Sequence, residues 1–385
     1  MSIYFELLDV VTGRSQTAMR IAIYSYDNVN NPHCGGGGAY RLLAIHRELS
    51  ARHSVTAYTG HYAGARAYDD GGVKFRQLGF GAGYLLSRVS FAVLATIHSI
   101  LVRADLVVVD FSAFAPVLGF VFRRRCVLQF QHFVGREPFR KYSVFGAIPW
   151  LAERIALSLC RNVSTSAESV AKVIREKYQP KDVVQATGNG FDASLLGVVP
   201  RDDHYLLHLG RLDVRMKGID TLIDAFERVA PEFPDHSLKL VGRGSERDIE
   251  WTRSRLRSSP FAIRMELVTN VSEETKRSLL GAATFICVAS RFEGWCIAAV
   301  EAAACGKAVL GTRILGLQDA VSEGATALLV PPDDAQAFSD GMRALLNDPT
   351  LRQSLEARAK EWARRFTWPE VARLQERIYR TVVDA

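Results

Sequence analysis

The sequence predicts an α/β protein built from two doubly wound parallel sheets that face a cleft. Three observations carry this. Short, β-branched apolar runs alternate along the chain with segments of helical apolar spacing, the pattern of βαβ units. The alternation pauses near residues 193–203 and then restarts. At 385 residues the chain is long enough for two domains of ordinary size. The predicted domains are residues 19–195 and 204–367.

Residues 1–18 do not read like the rest. They lack a basic stretch followed by an apolar core, so they are read as a loose extension, or Met19 is the start, and not as a signal peptide. Met19 begins MRIAIYSYD, a first strand over Arg20–Tyr24. A glycine-rich turn ending at Gly38 follows, then a helix from Ala39 to about Ser50. Such a turn lets backbone approach a phosphate or sugar closely. It lacks the GxGxxG spacing and the ribose-binding acid of a dinucleotide fingerprint.

Ser54–Thr59 and Val73–Leu78 read as strands, and Tyr84–Val102 as a long apolar helix. Arg88 and His98 interrupt that helix and Arg103 bounds it, so it falls short of a clean membrane span. It is read as buried or membrane-touching. Leu106–Asp110 is a buried strand, followed by a helix near Pro116–Val121. Val127–Phe130 is a strand that ends at Gln131-His132. A histidine at the C-terminal end of a parallel strand sits where open α/β sheets bind ligands. Asn162–Thr165 and Val183–Gln185 flank a helix from Ala167 to Tyr178, and the turn Gly188-Asn189-Gly190-Phe191-Asp192 precedes the linker.

The second domain opens with strand Tyr205–Leu209, then Gly210-Arg211-Leu212, then Lys217-Gly218 and a helix to about Ala230. Arg211 and Lys217 place two cations on one loop, and a diphosphate can be bound bidentately by arginine and as a point charge by lysine. Leu238–Val241 runs into a second glycine turn at Gly242, and Ile263–Leu267 leads to Val271. Thr284–Ala289 is a buried strand, then come Glu293 and Gly294, an alanine-rich helix to Cys305, the stop at Gly306, and a strand over Ala308–Gly311. Free N–H groups after Gly294, at Trp295, Cys296 and Ile297, form an anion and hydroxyl site at a helix N-terminus. Glu301 lies about two turns inside that helix at about 1.5 Å per residue. Its alanine neighbours suggest close packing, and a carboxylate there needs a partner. The remaining helices are Ala335–Asn347, Leu351–Phe366 and Trp368–Val383.

The formal charge of +7 is uneven. Residues 1–200 hold 22 basic and 14 acidic side chains; residues 201–385 hold 26 and 27. RRR at 123–125 and REPFRK at 136–141 carry much of the excess, interleaved with Phe120, Phe122, Phe133 and Phe139. That face suits an anionic membrane surface or a phosphate-bearing acceptor. No nucleic-acid motif accompanies it, so nucleic acid is not a predicted partner. The six cysteines form no CxxC pair or zinc spacing and read as small buried hydrophobes in a reducing compartment. The Asp pairs at 69–70, 202–203 and 333–334 fall in predicted turns, and no metal is assigned to them.

The run EGWCIAAVEAAACGKAV, the following Gly316-Leu317, GATALLVPPDD, and the upstream GRLxxxKG resemble the nucleotide-sugar site of retaining glycosyltransferases of family 4. The resemblance covers the chain from Met19 and is most specific between Leu207 and Asp334. It implies the GT-B fold, two Rossmann-like domains with the donor held mainly by the second and the last helix, about 368–385, crossing back onto the first. It implies that Arg211 and Lys217 neutralise the leaving nucleoside diphosphate and that Glu293 and His132 hold the sugar. Glu301 would bind the ribose, Val271 the base edge, and Gly36, Gly37 and Gly242 would lie along the donor. The implied donor is a UDP- or GDP-linked sugar, and the acceptor a glycan, glycolipid or small molecule. No cofactor and no obligatory metal are implied. No acid pair is placed as nucleophile and general acid, and the resemblance implies front-face retention instead. The expected location is the cytoplasm, at the inner face of the membrane. Two departures stand out: the usual proline preceding the turn is missing, with Thr187-Gly188 in its place, and Cys296 occupies a position often held by glycine or another small residue. An epimerase, a phosphorylase and a non-catalytic scaffold are the rival readings; no sequence feature marks the pyridoxal lysine a phosphorylase would need.

Overall fold

The computed structural model describes residues 17–31, 36–81, 83–135, 139, 143–178 and 182–385. The expectations for residues 1–16, for Cys34 and Gly35, and for the REPFRK segment apart from Phe139 lie outside the described residues.

Two sheets form. The first holds β1 (Arg20–Ser25), β2 (Ser54–Gly60), β3 (Tyr68–Asp70), β4 (Val73–Leu78), β5 (Leu106–Asp110), β6 (Cys126–Phe130), β7 (Asn162–Thr165) and β8 (Val183–Ala186), in the order β3-β4-β2-β1-β5-β6-β7-β8. All its pairings are parallel except β3 with β4 at the edge. The second holds β9 (Tyr205–Arg211), β10 (Ser237–Arg243), β11 (Met265–Thr269), β12 (Phe285–Val288), β13 (Val309–Thr312) and β14 (Ala327–Val330), in the order β11-β10-β9-β12-β13-β14, all parallel. Strand order reverses between β1 and β5 and again between β9 and β12. Such switch points open a crevice at the C-terminal ends of the strands.

Helices cover both sheets: α1 (Gly37–Ser50), α2 (Tyr84–Leu101), α3 (Ala147–Leu159), α4 (Glu168–Tyr178), α5 (Ile219–Val229), α6 (Glu246–Arg257), α7 (Glu273–Ala282), α8 (Ile297–Ala304), α9 (Leu317–Ala320), α10 (Ala335–Asn347), α11 (Pro349–Ala363) and α12 (Trp368–Asp384). The segment near Pro116–Val121, expected as a helix, is only a 3-10 turn over Gly119–Val121. Gly119 lies against α2, where a Cβ would stand 2.1 Å from the Ser99 hydroxyl, so tertiary packing fixes the turn. Helices α3, α6, α7 and α9 and strands β3 and β14 were not anticipated, and Asp69 and Asp70, expected in a turn, lie in β3, which pairs antiparallel with β4. α3 accommodates Pro149 in its first turn, where no intrahelical N–H is needed.

The chain crosses back at its end. Val371, Ala372, Tyr379 and Val382 of α12 pack with Ile21, Ile23 and Val108 of the first sheet. Polar contacts fix the register. Ser164 Oγ donates to Gln375 at 3.0 Å, and Gln129 Nε2 donates to the Tyr379 hydroxyl at 3.0 Å. Glu376 accepts from Arg52, Arg380 and His53, and these partners, His53 first, hold its carboxyl down at about 2.

Candidate functional site

The second switch point gathers the expected cations and acids. β9 ends at Arg211, β12 runs into the loop carrying Glu293, and both emerge at the same sheet edge. The loop between Arg211 and α5 is tied down from behind. Arg291 donates to the Asp220 carboxylate at 2.8 and 3.0 Å, to the Arg215 carbonyl at 2.8 Å and to Asp333. Lys217, fixed by this strap, donates from Nζ to Glu293 Oε1 at 2.5 Å. Ser290 Oγ donates to the same oxygen at 2.8 Å. Arg211 stays exposed, and its guanidinium reaches the first domain, where a Cβ on Gly36 would lie 3.6 Å from it.

His132 follows β6 in the first domain and stands edge-on to Phe292 at 5.5 Å between ring centres. Its side chain stays exposed, and partial desolvation there lowers its pKa, Arg211 and Lys217 lower it further, and Glu293 opposes them. The four residues His132, Arg211, Lys217 and Glu293 therefore share one electrostatic environment. His208, on β9 beneath them, was not foreseen. It is buried, and desolvation together with Lys217 brings its imidazole down to about 4, so it is neutral.

Glu301 lies one turn into α8, not two, because the helix starts only at Ile297. It is buried, and its partner is Lys276 of α7, whose Nζ donates to Oε1 at 3.0 Å. Burial pushes the carboxyl above its usual range and Lys276 pulls it back. The N-terminus of α8 carries Gly294, Trp295, Cys296 and Ile297 as expected, but the Trp295 indole turns away into the domain junction, 5.1 Å from the Phe366 ring. Only its backbone remains at the loop. Cys296 adopts φ +105°, a left-handed conformation costly for any residue but glycine. Burial pushes its thiol up to about 12, so it stays protonated near neutral pH.

The remaining expected positions are placed as follows. Gly36 caps α1 and Gly37 opens it. Gly242 pairs with Gly210 across β9 and β10, and a Cβ there would sit 1.6 Å from the Gly210 carbonyl oxygen, so its glycine is required by strand approach. Val271 is half-buried after β11 and packs on the core shared by both domains.

Two contacts close the cleft at one side. Ser166 Oγ of the first domain donates to the Gly294 carbonyl at 3.1 Å. Ser169 N and Oγ donate to Asp319 of α9, and Ser169 Oγ accepts from Gly316 N at 3.1 Å. Gly316 has φ +81°, and a Cβ would meet the Glu293 carbonyl oxygen at 2.6 Å. Opposite, Asp110 ends β5 and accepts from Ser25 Oγ at 2.9 Å. Burial and then Asp27 push its carboxyl up to about 7. Its position, an acid closing the run LVVVD, is the sequence signal that could have marked it.

The comparisons with known proteins fit this architecture. Residues 197–362 match the family described as Glycosyl transferases group 1. The phosphatidyl-myo-inositol mannosyltransferase of Mycolicibacterium smegmatis is 32% identical over 195 residues, 50% of this chain and 49% of that protein. The D-inositol 3-phosphate glycosyltransferase of Jonesia denitrificans is 31% identical over 196 residues, 49% of this chain and 46% of that protein. The chain thus spans about half the length of the curated relatives it matches. Among solved structures, the sucrose-phosphate synthase of Thermosynechococcus elongatus superposes with TM-score 0.78 at 20% identity, over 94% of this chain and 98% of that one. Anabaena HepE in complex with UDP-glucose superposes with TM-score 0.70 at 18% identity, over 95% and 100%. At such identities the likeness is one of fold, the two-domain GT-B architecture.

Proposed function

We propose, from the match of residues 197–362 to the group 1 glycosyl transferases, that this chain moves a sugar from a nucleoside-diphosphate sugar to an acceptor hydroxyl with retention. The observation that carries the reading is the convergence of Arg211, Lys217, Glu293 and His132 at one switch point between the domains.

Each residue has a chemical task. Departure of a nucleoside diphosphate builds negative charge on its β-phosphate, and Lys217, held by Glu293, and the exposed Arg211 are the cations that meet it. Glu293 holds Lys217 in place and offers its second oxygen to sugar hydroxyls. His132, kept neutral, donates or accepts one hydrogen bond at the sugar without adding charge. Backbone N–H groups from Gly294 to Ile297 face the same space at a helix N-terminus. Glu301, steadied by Lys276, takes the ribose hydroxyls. The leaving phosphate takes the acceptor proton on the face it departs from, which requires no enzymic nucleophile and no metal.

The donor is a UDP- or GDP-linked sugar; the Anabaena neighbour was solved with UDP-glucose. The acceptor is a glycolipid or growing polysaccharide at the inner face of the membrane, in keeping with a relative named for transfer to phosphatidyl-myo-inositol. The test is a thermal-shift panel of UDP, GDP, ADP and dTDP on wild type and Glu301→Ala. A ligand at 100 times its dissociation constant stabilises by about 2.7 kcal/mol. One nucleotide shifting wild type and not the variant supports the reading. No shift with any of them, on folded protein, defeats it.

A further inference from the structure

The outer surface of the first domain carries more exposed apolar side chain than its fold requires. On α2 the residues Leu85, Val89, Val93, Ile97 and Leu101 recur every fourth position and all face solvent, with Leu85 73% and Leu101 74% exposed. On and just before α3, Val144, Ile148, Leu151, Ile155 and Leu159 repeat the pattern, Val144 being 75% exposed. Positions three and four apart share one helix face, so each set is a stripe. Between the helices, the turn over Gly119–Val121 adds Val121 and Phe122.

These elements form one layer. Their inward residues Phe91, Ala95, Phe120, Ala156 and Leu157 pack into a single core against the same side of the first sheet. The Leu118 N–H donates to Thr96 Oγ1 at 3.0 Å, which seats the turn against α2. The outward stripes therefore lie on the same side of the first domain. α2 alone is about 27 Å long at 1.5 Å per residue, and its stripe with those of the turn and of the 13-residue α3 exceeds the few hundred Å² of apolar patch normal on a soluble monomer.

The charge pattern selects the occupant. α2 contains no acidic residue, and the acid of α3, Glu153, is buried and accepts from the Val134 N–H. Arg103, Arg124 and Arg161 border the face, are exposed, and make no ion pair among the described residues. Arg154 lies over the Trp150 ring at 3.9 Å. Arg123, by contrast, is spent on the carbonyls of Ser99, Val102 and Ala104 at the end of α2. The aromatic face expected from sequence is also corrected: Phe120 is buried and Phe133 packs on Phe130, which leaves Phe122 and Phe139. No helix among the described residues is long and apolar enough to cross a membrane.

We propose that the α2–α3 face docks flat on an anionic lipid bilayer, its two apolar stripes entering the headgroup boundary while the bordering arginines meet lipid phosphates. An apolar face with a basic border and no crossing segment is the pattern of an interfacial, monotopic contact. Both helices follow parallel strands and so begin at the sheet edge that lines the cleft. A docked molecule presents that cleft rim to the lipid surface. The inference extends the transferase reading by naming where a lipid-linked acceptor is met, and only that acceptor step rests on the reading.

The experiment is sedimentation of the full chain with phosphatidylcholine vesicles, with and without phosphatidylglycerol. Wild type is expected to bind the anionic vesicles more tightly. Val93→Glu with Ile148→Glu, both at exposed positions, should cost about tenfold each, and Arg124→Ala about fivefold. Unfolding midpoints and the nucleotide shift should not change. Wild type failing to bind, or the double variant binding as well as wild type, overturns the proposal. So does a wild-type dimer that the double variant splits without change in vesicle binding, since the occupant is then a second copy. Vesicle binding that persists in a protein shifted by no nucleotide upholds the docking face and defeats the transferase reading alone.

Discussion

Lys217 and Glu293, 76 positions apart in sequence, meet at 2.5 Å through Nζ and Oε1 at the reversal of strand order in the second sheet. The Glu293 carboxylate is largely enclosed and the lysine only partly exposed. Truncating one partner leaves the other charge poorly solvated, so the two act as a unit. Lys217→Ala and Glu293→Gln are each expected to lower kcat/KM by about a hundredfold, and the double variant by much less than the product. Steady-state rates of the four proteins check this; independent, multiplying losses would show that the pair is not coupled.

Arg211 differs from Lys217 in being exposed and unstrapped. Its truncation removes charge-assisted hydrogen bonds to a diphosphate, each of about 1.5–3 kcal/mol, at little cost to the fold. Arg211→Ala should weaken nucleoside diphosphate binding by one to two orders of magnitude, measured by calorimetry, with the unfolding midpoint unmoved. An unchanged affinity would remove Arg211 from the donor site.

The parts of the site that local pattern encodes were legible. Glu293 and the N-terminus of α8 follow from a buried strand ending in a glycine loop, and Arg211 and Lys217 from GRLxxxKG. What was not legible depends on elements meeting in space. Lys276 pairs with Glu301 only because α7 packs beside α8, and nothing in either helix announces the other. His208 is one residue of an apolar strand until the fold sets it under Lys217. The latch from Ser169 to Asp319 joins two domains across 150 positions. In the fold, α3 was missed because its outward stripe is apolar where a surface helix is normally polar, so its period was hidden. The same anomaly marks the proposed bilayer face.

Glu301 depends on Lys276 for charge compensation. Its folded pKa already lies above the unfolded value, so it binds more protons folded than unfolded, and its contribution worsens as pH rises through that interval. Lys276→Ala should raise the pKa further. The variant is expected to lose about 1–3 kcal/mol, and more near pH 8 than near pH 5. Urea denaturation at both pH values reads this, and an equal loss at both would show that Glu301 does not carry the effect.

Cys296 holds φ +105° with a side chain, and its thiol is raised to about 12. Left-handed backbone at a non-glycine residue costs on the order of 1–3 kcal/mol. Cys296→Gly should relieve part of this and stabilise by about 1 kcal/mol, whereas Cys296→Ala should not. Native wild type should react slowly with a thiol reagent at this position near neutral pH, as peptide mapping after labelling would show. Rapid labelling of Cys296 would contradict the buried thiol.

His208 supplies a pH signature that belongs to the folded site. Its imidazole sits at about 4 in the fold, against about 6.5 for an ordinary histidine. Between those values the unfolded chain binds a proton that the folded protein refuses, so stability falls as pH drops from about 6.5 towards 4 and is fully present above. The interval of about 2.5 units corresponds to about 3 kcal/mol. Other buried groups, Asp110 among them, titrate in the same window with the opposite sign, so the total curve does not isolate His208. The difference between wild type and His208→Gln does. Glutamine cannot take the proton, so the variant, less stable than wild type near pH 7, should close the gap by about 3 kcal/mol as pH reaches 4. Guanidinium denaturation of both proteins across this range makes the measurement. A stability gap that stays constant with pH would mean that the histidine is not held neutral beneath Lys217.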